Sequence, residues 1–276
     1  MTQVLHFQGH DGLDLRAAAS GPASGVPVLL VHGGGQTRRA WRRAAEVIAA
    51  QGYRAIALDL RGHGESDAPL WRYTLDQAAN DVIGLLDHLA IRRATFVGLS
   101  MGGYILFALY RLYPDRVQGL VLANTRAQAD SVEGKDGRFQ MAQTAYKKGP
   151  SAIADIMIPK LVSPATVQTK PELVRRVRAM IEENQISGIA GDLMAMADRP
   201  DSIPLLNQIT CPTHIIGGEL DIATPPSDAK LMAERIPDAS LTIIPGAAHL
   251  SNLEQPHRFI ETVHTFVSTV THAGSR

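Results

Sequence analysis

Residues 94–108 read Ala-Thr-Phe-Val-Gly-Leu-Ser-Met-Gly-Gly-Tyr-Ile-Leu-Phe-Ala, and the fold turns on how they divide. Positions 94–97 end an apolar strand, and a helix begins at Gly103. Between them, Gly98-Leu99-Ser100-Met101-Gly102 reads as a tight strand-to-helix turn. Such a turn brings backbones close together, so small residues flank the serine. Ser100 then stands proud of the sheet, above the free N–H groups and the positive end of a helix. Alone, the same residue also reads as an ordinary helix N-cap serine.

Outward from this turn the chain keeps a regular beat. Apolar runs at 28–31, 56–58, 95–97 and 117–122 read as strands covered on both faces. Helical stretches at 37–51, 75–89 and up to Leu112 alternate with them. The second carries Leu75, Ala78, Ala79, Val82, Leu85, Leu86 and Leu89 at three-to-four spacing. This alternation predicts βαβ units and a parallel sheet, hence an α/β fold. At the start, 4–7 and 13–19 flank His10-Asp11-Gly12 and read as an antiparallel pair. The beat stops after Asn124. Amphipathic segments near 138–147, 151–158, 171–183 and 186–197 look helical, broken by Pro159, Pro164, Pro171 and Pro200. Strands return at 213–216 and 241–244, with helices at 227–235 and 256–270. The division expected is a core of 1–123 and 210–276, with 124–209 inserted as a helical cap over the carboxyl ends of the strands. The polar end, 271–276, is expected to fray.

Twenty-seven Lys+Arg balance 27 Asp+Glu, so nothing global steers the chain to nucleic acid or an anionic membrane. Arg38, Arg39, Arg42 and Arg43 form a local cluster, read as the solvated start of a helix. One cysteine, Cys211, allows no intrachain disulfide. The opening MTQVLHFQGHDG has no basic stretch followed by an apolar core, and no apolar run approaches the roughly 18 residues of a membrane span. A cytoplasmic enzyme is the expectation; the sequence sets no oligomeric state.

A serine hydroxyl needs a base. Of ten histidines, His249 lies in Pro245-Gly246-Ala247-Ala248-His249-Leu250, just past the last strand, on the sheet edge that carries Ser100. Asp221 follows the strand 213–216 at the same edge and can accept from the far imidazole nitrogen. Glu219 is its rival and Asp228 a weaker one. His32-Gly33-Gly34-Gly35 follows a buried strand without side chains to block its amides. The N–H groups of Gly34 and Met101 are the candidate oxyanion donors. His32, Gly33 and Gly35 read as support for that loop. Asp59-Leu60-Arg61-Gly62-His63-Gly64-Glu65-Ser66 reads as a bonded loop behind the site, with Asp59, Arg61 and His63 structural. A phosphate loop is disfavoured, since neither G-x-G-x-x-G nor G-K-[ST] occurs. His32, His63 and Asp59 make a metal site only on paper, because no H-E-x-x-H or cysteine cluster accompanies them. Trp41, Met141, Tyr146, Ile153, Met157, Met180, Met194 and Met196 are candidates for the pocket wall.

Four ordered features together resemble the α/β-hydrolase superfamily with an inserted cap: the His-Gly loop at 32–35, D-x-R-G-x-G-x-S at 59–66, the serine turn at 98–102, and the late Asp221 and His249. The likeness covers residues 3–270. It implies an eight-stranded, mostly parallel sheet with helices on both faces. It also implies a Ser100–Asp221–His249 triad, two backbone donors and no cofactor. The stretches 98–103, 221–226 and 247–252 resemble 3-oxoadipate enol-lactonases, and the serine turn also resembles cofactor-free perhydrolase esterases. The opening HGGGQTRRAW at 32–41 is similar to epoxide-hydrolase-like members, but those use an aspartate where this chain has Ser100. The activity expected is cleavage of a small-molecule carboxylic ester or lactone through an acyl-enzyme. Carbon–carbon bond hydrolysis, thioester hydrolysis and perhydrolysis share the constellation, and a non-catalytic small-molecule receptor is the alternative outside enzymes.

Overall fold

The computed structural model describes residues 2–69 and 72–273. In chain order its elements are β1 (Thr2–Gln8), β2 (Asp14–Ser20), β3 (Pro27–Val31), α1 (Arg42–Ala50), β4 (Arg54–Asp59) and α2 (Leu75–His88). Then come β5 (Ala94–Leu99), α3 (Met101–Leu112), β6 (Val117–Ala123) and five successive helices. These are α4 (Val132–Leu161), α5 (Pro164–Thr169), α6 (Pro171–Glu182), α7 (Ile186–Ala197) and α8 (Ile203–Leu206). The chain closes with β7 (Thr213–Gly218), α9 (Pro226–Arg235), β8 (Ala239–Ile244), α10 (Ser251–Glu254) and α11 (Pro256–Ala273). Among the described residues the strands form one eight-stranded sheet in the order β1-β2-β4-β3-β5-β6-β7-β8. The pairs β1/β2 and β2/β4 are antiparallel and all others parallel.

Why the central strands lack alternation is plain from their surroundings. Every residue of β5 is buried, as are four of five in β3, because helices cover both faces. On those faces α1 packs on α11, and α2 on α3. Local chemistry fixes where helices start. The Thr74 hydroxyl accepts from the Gln77 N–H while the Gln77 side chain accepts from the Thr74 N–H, so α2 begins with two orphan donors satisfied.

After β3 the chain moves to β4 on one side, then returns to β5 on the other. That reversal opens a crevice at the carboxyl ends of the strands. Register sets its floor: Val31 pairs with Gly98, and Leu99 with Ala123. A Cβ on Gly102 would sit 2.3 Å from the Val31 carbonyl oxygen, so only glycine lets α3 start this close to β3.

Three expectations are corrected. The break near 150 is in place, at Gly149 (φ 79°) followed by Pro150, but Pro159 lies inside α4, which runs on to Leu161. So near the end of a helix, proline removes a single donor. The arginine cluster is a solvated face at the start of a helix for Arg39, Arg42 and Arg43, which are exposed, but Arg38 is half-buried against the loop behind the site. Arg38 bonds Asp59 and Glu65, Arg39 bonds Glu183, and Arg43 approaches His257 Nε2 at 2.8 Å. Finally, α11 continues through Ala273, past the start of the tail expected to fray, while 274–276 lie outside the described residues. No helix among the described residues is long and apolar enough to cross a membrane.

Two glycines provide a contrast to test. Gly102→Ala should cost at least about 2 kcal/mol, since backbone must move to admit the methyl group. Gly84→Ala, where a Cβ in α2 comes no nearer than 3.7 Å to the Gln8 oxygen, should gain roughly 0.5–1 kcal/mol from helix propensity. Urea midpoints for both variants decide it; equal effects would contradict the packing described.

Candidate active site

Ser100 occupies φ 55°, ψ −116°, a conformation that costs a non-glycine residue about 1–3 kcal/mol. Its surroundings over-determine it. The Ser100 N–H donates to Ala123 O at 2.9 Å, and its carbonyl accepts from Gly103 N at 2.9 Å and Thr125 Oγ1 at 2.8 Å. The side chain is thereby pushed out of the sheet plane, into the crevice.

There the Ser100 hydroxyl lies 2.8 Å from His249 Nε2, and His249 Nδ1 lies 2.8 Å from Asp221 Oδ2. Burial pushes the Asp221 pKa up. The His249 charge and hydrogen bond, then Asn124 and Thr224, outweigh this and hold it at about 2. An ionised carboxylate only accepts, so Nδ1 carries the proton and Nε2 is left to accept from the serine. Asp221 Oδ2 also accepts from Asn124 Nδ2 at 2.9 Å and Thr224 Oγ1 at 2.8 Å, while Oδ1 accepts from the Ala223 and Thr224 N–H groups. The rival acids are elsewhere. Glu219 is exposed and accepts from the Gly246 N–H, and Asp228 accepts from Gln128.

The glycine loop is held from beneath. His32 Nδ1 donates to Gly33 O at 2.8 Å, and Nε2 accepts from the Leu60 N–H at 3.0 Å. Burial first, and then the neighbouring His63, lower the His32 pKa to about 3, so it stays neutral. The Gly33 N–H is taken by Gln36 Oε1 at 3.0 Å. Among the described residues the N–H groups of Gly34 and Met101 have no protein acceptor. Met101 is the first residue of α3, and Gly34 lines the same cavity as Ser100, as does Gly35.

Behind the loop, Asp59 accepts from the N–H groups of Arg38 and Glu65. Buried Arg61 is gripped by Asp81 at 2.6 and 2.7 Å and by Asp11 at 2.9 Å. His63 Nδ1 donates to Arg61 O. Its Nε2 is 2.9 Å from Asp192 Oδ2, within ion-pair reach but off the line of a straight hydrogen bond. Burial disfavours the His63 charge, but the Asp192 carboxylate outweighs it and raises the pKa.

A cavity of about 180 Å³ opens over Ser100 and His249. Met141, Ile153, Met157 and Met196 line it as expected from sequence, with Leu161, Ile189 and Leu193 beside them. Four candidates do not reach it. Trp41 is fully buried against Phe259, ring centroids 5.9 Å apart, because α1, which starts at the next residue, packs on α11. Tyr146 is 65% exposed on the outer side of α4, and Met194 shares a separate surface hollow with it. Met180 is buried in the packing of α6. Conversely, Tyr104, Arg126, Arg138, Lys160 and Asp192 line the cavity without a sequence motif to announce them. Asn124, at φ 45°, was equally silent; its side chain ties Asp221 to Ala248 O and Ser251 across three strand ends.

The model of the alpha/beta hydrolase fold family matches residues 26–256. A 3-oxoadipate enol-lactonase of Acinetobacter baylyi is 31% identical over 94% of this chain and 96% of its own length. A thermophilic esterase from Thermogutta terrifontis superposes with a TM-score of 0.93 at 37% identity, covering 97% of this chain and 99% of that one. An enol-lactonase from Burkholderia xenovorans superposes at 0.88 with 30% identity, over 94% and 98% of the two chains.

Asp221→Asn should lower kcat for an ester by about a thousandfold or more, because the imidazole loses its orienting acceptor. Glu219→Gln should change it little, and the reverse ranking would reassign the acid. The same carboxylate carries a stability signature. Its pKa falls from 3.8 unfolded to about 2 folded, so its contribution is complete above pH 4 and lost as pH drops through 2. Acid titration of wild type should show a loss of about 2 kcal/mol in that window that Asp221→Asn lacks.

Proposed function

The chain belongs to the alpha/beta hydrolase fold family and is a carboxylic ester hydrolase acting on small-molecule esters or lactones; from that premise we propose the following assignment of its residues. Ser100 is the nucleophile. His249 takes its proton as the hydroxyl attacks the scissile carbonyl, and Asp221 steadies the imidazolium that forms. Negative charge gathers on the former carbonyl oxygen, where the Gly34 and Met101 N–H groups and the positive end of α3 receive it. His249 then protonates the leaving alkoxide. In the second half, His249 activates water, which attacks the acyl-enzyme, and Ser100 recovers its proton as the acid departs.

The observation that carries this reading is the continuous relay Ser100–His249–Asp221 at 2.8 Å per step, opening into a cavity beside two unengaged amides. Residues 124–209 act in this reading as a cap. Their helices supply the apolar upper wall and are bonded to the core on several sides. Leu250 N donates to Leu161 O, Ser163 N to Glu254 Oε1, and Gly64 N to Asn184 Oδ1. A cavity of this size suits a short acyl chain or a single lactone ring. The enol-lactonase relatives favour a lactone among the substrates, and the esterase neighbour favours a simple acyl ester.

Ser100→Ala should lower ester turnover at least about 10⁴-fold and abolish labelling by a fluorophosphonate probe, with the thermal midpoint nearly unchanged. Turnover that survives the substitution would remove Ser100 from the chemistry. Labelling of wild type without steady turnover would favour a receptor.

A further inference from the structure

We propose that Glu254 is a positioning residue: its buried carboxylate clasps the helical insertion to the loop that carries His249, so that the general base is held in place only while the insertion is docked. This deepens the hydrolase reading and rests on it. Glu254 is 1% exposed, stands outside the relay Ser100–His249–Asp221, and does not line the catalytic cavity. Among the described residues its carboxylate is paired with no lysine, arginine or histidine; its partners are two backbone donors. Oε1 accepts from the Ser163 N–H at 2.8 Å, and Oε2 accepts from the Ala248 N–H at 2.6 Å. A carboxylate offers two acceptor oxygens and so serves two converging N–H groups at once, whereas an amide offers one. Burying such a group is costly unless both oxygens are satisfied.

The two donors come from different parts of the molecule. Ser163 lies in the insertion, between α4 and α5, and Ala248 immediately precedes His249 in the loop after β8. Ala248 is pinned on its other side as well. Its carbonyl accepts from Asn124 Nδ2 at 3.2 Å, the same amide that bonds Asp221 Oδ2 at 2.9 Å. That carbonyl belongs to the peptide bond leading into His249. The peptide bond leading out is held by the insertion, since the Leu250 N–H donates to Leu161 O at 2.9 Å. Lys170 Nζ adds a further tie to Glu254 O at 2.8 Å. The end of α4, the turn into α5 and the residue before α6 thus all fasten to residues 248–254.

Such fastening has a mechanical consequence. If the insertion lifts, Glu254 must either release Ser163 or drag Ala248 with it. The imidazole sits 2.8 Å from Ser100 Oγ on one side and 2.8 Å from Asp221 Oδ2 on the other. A backbone shift of about 1 Å at this loop would lengthen both bonds beyond proton-transfer geometry. Glu254 therefore ties the reactivity of the relay to the seating of helices that contribute no group to it.

Two variants break the clasp from opposite ends. Glu254→Gln leaves one N–H facing an amide NH2. It should lower kcat for p-nitrophenyl acetate by about ten- to a hundredfold while KM changes less than about twofold. Fluorophosphonate labelling of Ser100 should slow by a similar factor, because it needs the same base. Ser163→Pro removes the donor in the insertion. Ser163 at φ −66°, ψ 153° and Val162 at φ −126°, ψ 153° admit a proline at 163 without backbone strain. Its reference is Ser163→Ala, which loses the same hydroxyl and keeps the N–H. Proline should lower kcat at least about fivefold relative to alanine. A carboxylate that serves stability alone gives the other split, lower thermal midpoints with kcat and labelling unchanged, and that result overturns the proposal. If either variant does not fold, hydrogen exchange in wild type decides. The Ser163 and Ala248 amides should show equal protection, and phosphonylation of Ser100 should raise both together. Protection that persists at Ala248 while Ser163 exchanges freely overturns the clasp. Absence of ester turnover in wild type overturns the hydrolase reading instead, and the two amides still decide whether the clasp exists.

Discussion

Close approach of backbones at the start of α3 is the constraint from which the rest of this structure follows. With no Cβ at Gly98 or Gly102, the helix begins against the Val31 and His32 carbonyls. Ser100 is then forced into a left-handed conformation, and three hydrogen bonds, from β6, from Thr125 just after it and from α3, hold it there. The strain does two things at once. It lifts the hydroxyl toward the imidazole, and it aims the first free N–H of α3 at the same space. In the assignment proposed above, nucleophile and oxyanion donor thus come from one turn, and neither needs a side chain to be repositioned during reaction.

Electrostatics around that turn divides into layers with different tasks. Asp221 receives five donors, which keeps it charged and a poor proton acceptor, as the orienting role proposed for it requires. Below the glycine loop, His32 is kept neutral by burial and acts as a bracket between Gly33 and Leu60. Further out, the His63–Asp192 pair joins the core to α7 of the helical insertion. At that same join a Cβ on Gly188 would lie 1.9 Å from the Gly62 oxygen, so the two backbones touch. The insertion is therefore seated on the loop that supports the oxyanion site, and its position and that of the loop are coupled.

Specificity has a different physical origin from reactivity here. Reactive groups sit on strand ends, where hydrogen-bond registers of the sheet set distances closely. The cavity wall comes mainly from helices, and what it offers is largely apolar surface with Arg126, Arg138, Lys160 and Asp192 set into it. Methionines at 141, 157 and 196 make that wall adaptable. The arginines around Asp130 make one part of it stiff.

Much was readable in the chain itself. Continuous apolar runs between helical stretches announced a parallel sheet, and glycines at 98, 102 and 33–35 marked the two turns where backbone must come close. These are local properties, encoded where they act. The choice of Asp221 over Glu219 was not local, because two residues of separation decide which carboxylate faces inward from the end of β7. Asn124 and Asp192 gave no pattern at all, since each acts by reaching residues far away in the chain. The pocket wall misled for the same reason: Trp41 and Tyr146 are large and near the right segments, but helix facing turned one into the core and the other to solvent. Sequence alone determined the strand–turn–helix grammar and the chemistry its residues can perform. Which side chains share a space was decided only by the packing of helices on the sheet, because facing depends on rotations that no single stretch of chain controls.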